Sequence, residues 1–136
     1  MKDNGNILQQ AYFDLLSGQI TGEVYDTVPS NVSYPYTQID SRTATDYTDN
    51  TSLGQEVTQT LWVVDRFSGS FGSRDSIYTI TDEIMQIVRS RPNAFDLQDF
   101  NVVTTTLDIA NFDRQRTDTH TYIKMEIRFR HLIEQL

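Results

Sequence analysis

The chain has no cysteine among its 136 residues, which removes disulfides, thiol nucleophiles and thiolate metal sites together. That absence is compatible with a reducing compartment and does not require one. Histidine is nearly as scarce, with only His120 and His131. Their separation is odd, so on one regular strand they point to opposite faces and cannot share a metal. No apolar run approaches the ~20 residues that a membrane helix needs. The polar start Met1-Lys-Asp-Asn-Gly5 speaks against a secretory signal. Bases are few: 11 Lys and Arg face 19 Asp and Glu, for a net charge of −8.

That charge is unevenly placed. Residues 1–65 hold nine acids and two bases, Lys2 and Arg42, whereas residues 66–136 hold ten acids and nine bases. Phosphate contacts need clustered Lys and Arg, so the first half is not a nucleic-acid-binding surface. What is present is the composition of an ordinary globule, 38% hydrophobic and 22% charged. At this length one domain spanning 1–136 is expected, and neither a repeat nor a low-complexity linker divides it.

The strongest pattern lies near the C-terminus. Ile123, Met125, Ile127 and Phe129 alternate with Tyr122, Lys124, Glu126, Arg128 and Arg130, which predicts a half-buried antiparallel strand over 121–133. Ile7, Leu8, Ala11, Tyr12, Leu15 and Leu16 recur at helical spacing, with Asn4 or Asn6 as a cap and Ser17-Gly18 as a stop. Short strands follow at 23–27 and 36–40. Residues 41–55 are almost devoid of apolar side chains and rich in turn formers, so a flexible polar loop is expected there.

Val57 to Asp65 has apolar residues on both faces, as in a central strand covered on both sides or closed by a neighbouring subunit. Ile77, Ile80, Ile84, Ile87 and Val88 mark a second helix, stopped by Pro92. The next strand, 100–109, would present Val103, Thr105, Leu107 and Ile109 on one face, and the polar stretch 111–118 would turn the chain into the last strand. The order α-β-β-β-α-β-β describes an α+β fold: a mixed, mostly antiparallel sheet with two helices packed on it.

Catalytic constellations are weak. No Gly-x-Ser-x-Gly elbow is present. Gly69-Ser-Phe-Gly72 sits between a strand and a helix but lacks the lysine of a phosphate loop and the third glycine of a dinucleotide fingerprint. A tight turn with Ser73 as helix cap explains it. Neither a cofactor nor a metal is expected. The charged residues read better as surface: Arg114 and Arg116 at a hairpin tip, and Lys124, Arg128 and Arg130 on the wet side of the last strand. They are either a solvated face or a docking row that meets an acidic patch on another copy, and such contacts close into rings when the rotation permits.

Several segments together resemble a known family. They are Ile7-Leu-Gln-Gln-Ala-Tyr-Phe-Asp-Leu-Leu16, Gly22-Glu-Val-Tyr25, Tyr34-Pro-Tyr36, Trp62-Val-Val-Asp65 and the closing His120-Thr-Tyr-Ile-Lys-Met-Glu-Ile-Arg-Phe-Arg130. The resemblance is to the tail terminator, or tail completion, proteins of long-tailed bacteriophages, including the lambda-type terminator and related small head–tail joining proteins. It implies a non-enzymatic virion protein of the tail or neck, assembled in the host cytoplasm without a membrane. Its partners would be its own copies in a homohexameric ring, the tail tube protein, and a head–tail connector or stopper protein. DNA would pass through the pore without specific binding. Under this resemblance Asp46, Tyr47 and Asp49 would project into the lumen or onto the tube, joining Arg114, Arg116, Lys124, Arg128 and Arg130 as interface candidates. Another neck protein (a head-completion or stopper ring) or a small ligand-binding α+β module are the alternatives.

Overall fold

The computed structural model describes residues 3–48, 53–90 and 95–136. Its elements are α1 (Gly5–Leu16), β1 (Glu23–Tyr25), β2 (Tyr36–Thr48), β3 (Leu53–Ser68), α2 (Asp75–Val88), β4 (Phe100–Arg116) and β5 (His120–Gln135). The five strands form one sheet in the order β1-β2-β3-β5-β4. Only β1 runs parallel to its neighbour, and every other pairing is antiparallel. The predicted element order and mixed sheet are those observed.

Both helices bury their stripes against one face of the sheet. Leu8, Tyr12 and Leu16 from α1, and Ile77, Ile80, Ile84 and Val88 from α2, join Leu61, Val63, Ile123, Ile127 and Phe129 in a single core. Burial of such side chains supplies the main favourable term in folding. β5 behaves as its alternation predicts: Thr121, Ile123, Met125, Ile127, Phe129, His131 and Ile133 are buried in turn. β3 is the central strand, buried on both sides from Val57 to Val64 apart from the partly exposed Trp62. Its inner face meets the helices. Its outer face lies among side chains of neighbouring strands.

Several expectations are corrected. Residues 41–48 and 53–55 belong to strands, not to a loop, with Arg42↔Gln59 through Thr48↔Leu53 in register. Apolar content reports burial, whereas pairing needs only extended backbone, and β-branched Thr43, Thr45 and Thr58 favour it. Asn4 occupies the helix N-cap position without capping. Its side chain is fully buried, donates to Gln55 Oε1 at 3.1 Å and accepts from Arg42. Pro92 lies outside the described residues. A further correction concerns β4, which continues to Arg116 and leaves only residues 117–119 for the turn.

β4 also carries two bulges, at Val103 and Asp108, where it skips a partner on β5. A bulge adds one residue and so flips the alternation beyond it. Val102 is therefore buried and Val103 exposed, Thr105 and Leu107 face the helices, and Ile109 is on the outer face opposite Arg128. The expected row Val103-Thr105-Leu107-Ile109 is thus broken at both ends, and Phe112 continues the inner row instead.

Candidate interaction surfaces

The helices cover one side of the sheet and leave the other to its own side chains. On that outer side β5 contributes Tyr122, Lys124, Glu126, Arg128 and Arg130, flanked across β3 by Arg66, Val64, Trp62, Thr60 and Thr58. The second bulge places Asp108 beside this row. Its carboxylate accepts from Arg128 Nε at 2.7 Å and from an Arg130 terminal nitrogen at 3.0 Å, and Arg130 also pairs with Glu56. The two arginines are therefore clamped within the chain. Lys124 is held more loosely, donating to Gln115 Oε1 at 3.2 Å.

Aromatic residues gather at one end of the same face. Tyr36 lies 6.0 Å from Tyr25 and 5.3 Å from Tyr34, and Tyr34 is 6.4 Å from Tyr122. Arg66 lies over the Tyr34 ring at 4.5 Å. Burial, together with the neighbouring Tyr34 and Tyr122, raises the pKa of the Tyr36 hydroxyl. Tyrosine and arginine are side chains that protein interfaces enrich: tyrosine gives large contact area for little lost rotamer entropy, and arginine adds a planar charged fork that stacks on aromatic rings.

The other charged candidates lie elsewhere. Arg114 and Arg116 are opposite Ile123 and Thr121, so they belong to the helix side of the sheet, at the β4–β5 turn. Asp46 is opposite Gln55, whose side-chain amide donates to it at 3.2 Å, at the far end of the sheet. Tyr47 pairs with Gly54 through its backbone, and Asp49 lies outside the described residues. The candidates whose side chains are described thus form no single patch: Lys124, Arg128 and Arg130 share the outer face, Arg114 and Arg116 lie on the helix side at the β4–β5 turn, and Asp46 lies at the far end of the sheet. Among the described residues no group of three His, Asp or Glu could hold a metal. Among the described residues no helix is long and apolar enough to cross a membrane.

A model of the family described as tail completion protein gp17 matches residues 14–134. The chain belongs to this family. Membership makes it a structural protein of a phage-type virion, located at the tail or neck. In a solved structure, the virion of a native gene transfer agent particle, one chain shares the fold with a TM-score of 0.78. Identity there is 16%, over 98% of this chain and 99% of that one. No curated protein sequence matches.

For a tail completion protein the outer face is where sequence reasoning fell shortest. It found the arginines but missed Asp108, Glu56 and the tyrosine group. The signal for the tyrosines was present, in Tyr34-Pro-Tyr36 and in Tyr122. Nothing signalled Asp108, because its position depends on the bulge. Replacing Asp108 by alanine should lower stability by about 1–2 kcal/mol, since two charge-assisted hydrogen bonds are lost at a partly buried site. Urea denaturation measures it, and a loss below about 0.3 kcal/mol would show the clamp to be idle, as many surface pairs are.

Proposed function

We propose that this protein forms a ring that caps the finished tail tube, stops its polymerisation and joins the tail to the head connector. The observation that carries the reading is the family match over nearly the whole chain, from within α1 to the end of β5. The division of surfaces supports it: one face of the sheet is closed by helices, and the other presents tyrosines and charge. DNA passes through the opening without specific binding, which suits a net charge of −8.

The capping step is tested with polymerising tube protein. Adding the purified chain should stop elongation, and labelled protein should sit at one end of each tube. Continued growth with the label found only on head-side connector would overturn the capping assignment and favour a stopper ring.

A further inference from the structure

Among the described residues the aromatic side chain with the greatest fractional exposure is Phe71, at 68%. It stands in the short connection between β3 and α2, and that connection is pinned. Gly69 N–H donates to Thr119 O at 2.8 Å, and Thr121 Oγ1 donates to Gly69 O at 2.8 Å. Gly69 has φ +71°, which glycine adopts freely, and a Cβ on Gly72 would come within 3.1 Å of Ile123 Cδ1. The backbone therefore lies tight against the β4–β5 turn while Phe71 faces solvent. Its ring meets Phe67 edge-on at 5.7 Å. Three exposed cations, Arg74, Arg114 and Arg116, belong to the same end of the molecule, with Arg74 over the Phe112 ring at 4.2 Å.

A matching cleft of about 330 Å³ lies between α1 and the segment leading into β4. Ile7 and Ala11 give it an apolar floor, and Gln10, Gln98, Asp14 and Asp96 give it a polar, acidic rim. Among the described residues neither acid, and none of the three arginines, forms an ion pair. The segment before β4 lies by the C-terminal end of β5, where Leu136 N–H donates to Asp99 O, whereas Phe71 lies by its start. A 16-residue strand spans roughly 50 Å, so a chain cannot fill its own cleft.

We infer that the Phe71 knob of one copy seats in the Ile7–Ala11 cleft of the next, with Arg74, Arg114 and Arg116 facing Asp14 and Asp96. The contact is heterologous: different surfaces of the two copies meet, as cyclic closure requires. An aromatic anchor with charge around it is the usual composition of an energetic centre at an interface. The inference rests on the ring reading above and names the surfaces that would build it.

The absence of native cysteine makes the test clean. Protein carrying Ser70→Cys, beside the intact Phe71, is mixed with protein carrying Gln10→Cys at the cleft rim, and a short bismaleimide is added. The result expected is a mixed covalent dimer as the main product, at least tenfold above either variant alone and above a mixture of Ser70→Cys with Thr106→Cys. Phe71→Ala, on an exposed side chain that leaves the fold intact by thermal unfolding, should weaken self-association at least tenfold. Wild-type rings without the mixed cross-link would overturn the inference and leave the ring reading standing. A mixed cross-link in a protein that never closes into rings would support the contact and overturn the ring. Strictly monomeric wild type with only background cross-linking would overturn both.

Discussion

Replacing Tyr12 by alanine should remove about 3–5 kcal/mol of stability, the largest loss expected from any single change in the helices. Tyr12 is fully buried on α1, with its ring 5.0 Å from Phe95 and 5.6 Å from His131. Its hydroxyl is hydrogen-bonded to His131 Nε2, and Thr105 Oγ1 is 2.9 Å from His131 Nδ1. A neutral imidazole has one donor and one acceptor nitrogen, and the two hydroxyls can complement either tautomer. Truncation therefore opens a cavity and strands a buried nitrogen.

Tyr12→Phe separates the two effects. It keeps the ring and removes the hydroxyl, so a loss of about 1–3 kcal/mol is expected from the unpaired nitrogen alone. Urea denaturation of both variants provides the comparison. A Tyr12→Phe protein within about 0.3 kcal/mol of the parent would show that His131 does not depend on this hydroxyl.

The same histidine makes the fold acid-sensitive. Burial lowers the His131 pKa to about 4, since the charged form would lose its hydration. The groups around it, Tyr12, Phe95 and Thr105, carry no charge to compensate. In the unfolded chain the imidazole titrates near 6.5, so below that pH the unfolded state binds a proton that the folded state refuses. This contribution is fully present above about pH 6.5 and is lost progressively as pH falls to about 4. A gap of roughly 2.5 units amounts to about 3 kcal/mol. Denaturation midpoints measured between pH 7 and 4 should fall accordingly, and NMR should find the His131 ring neutral at pH 5. A ring already protonated at pH 6 would contradict the burial argument.

How much of this was legible depends on which faces are apolar. β5 and α2 announce themselves because each has one buried stripe, and alternation or helical spacing follows directly. The β2–β3 hairpin beyond Gln59 does not, because its side chains are largely polar. On its inner side Arg42 contacts Asn4 and Asp3, not the aliphatic core. Sequence periodicity measures burial, and here strand pairing continues where burial has ended.

The surface was less legible still, for a reason of register. Counting back from the Arg116–Thr121 pair without a bulge would set Asp108 opposite Phe129, facing the core. The bulge moves it to the outer face, where it meets Arg128 and Arg130. One extra residue thus gives both arginines of that row an acid partner within the chain. The remaining outer-face candidates are Lys124 and the tyrosines. The knob and cleft proposed above lie on the helix side, where the spacing of charged residues alone gave no direction.

Ring formation is the claim on which the functional reading turns, and electron micrographs of the purified protein test it most directly. End-on views should show a six-membered ring with a central opening. Particles of a single 15.7 kDa chain at every concentration, with tube protein absent or present, would contradict it.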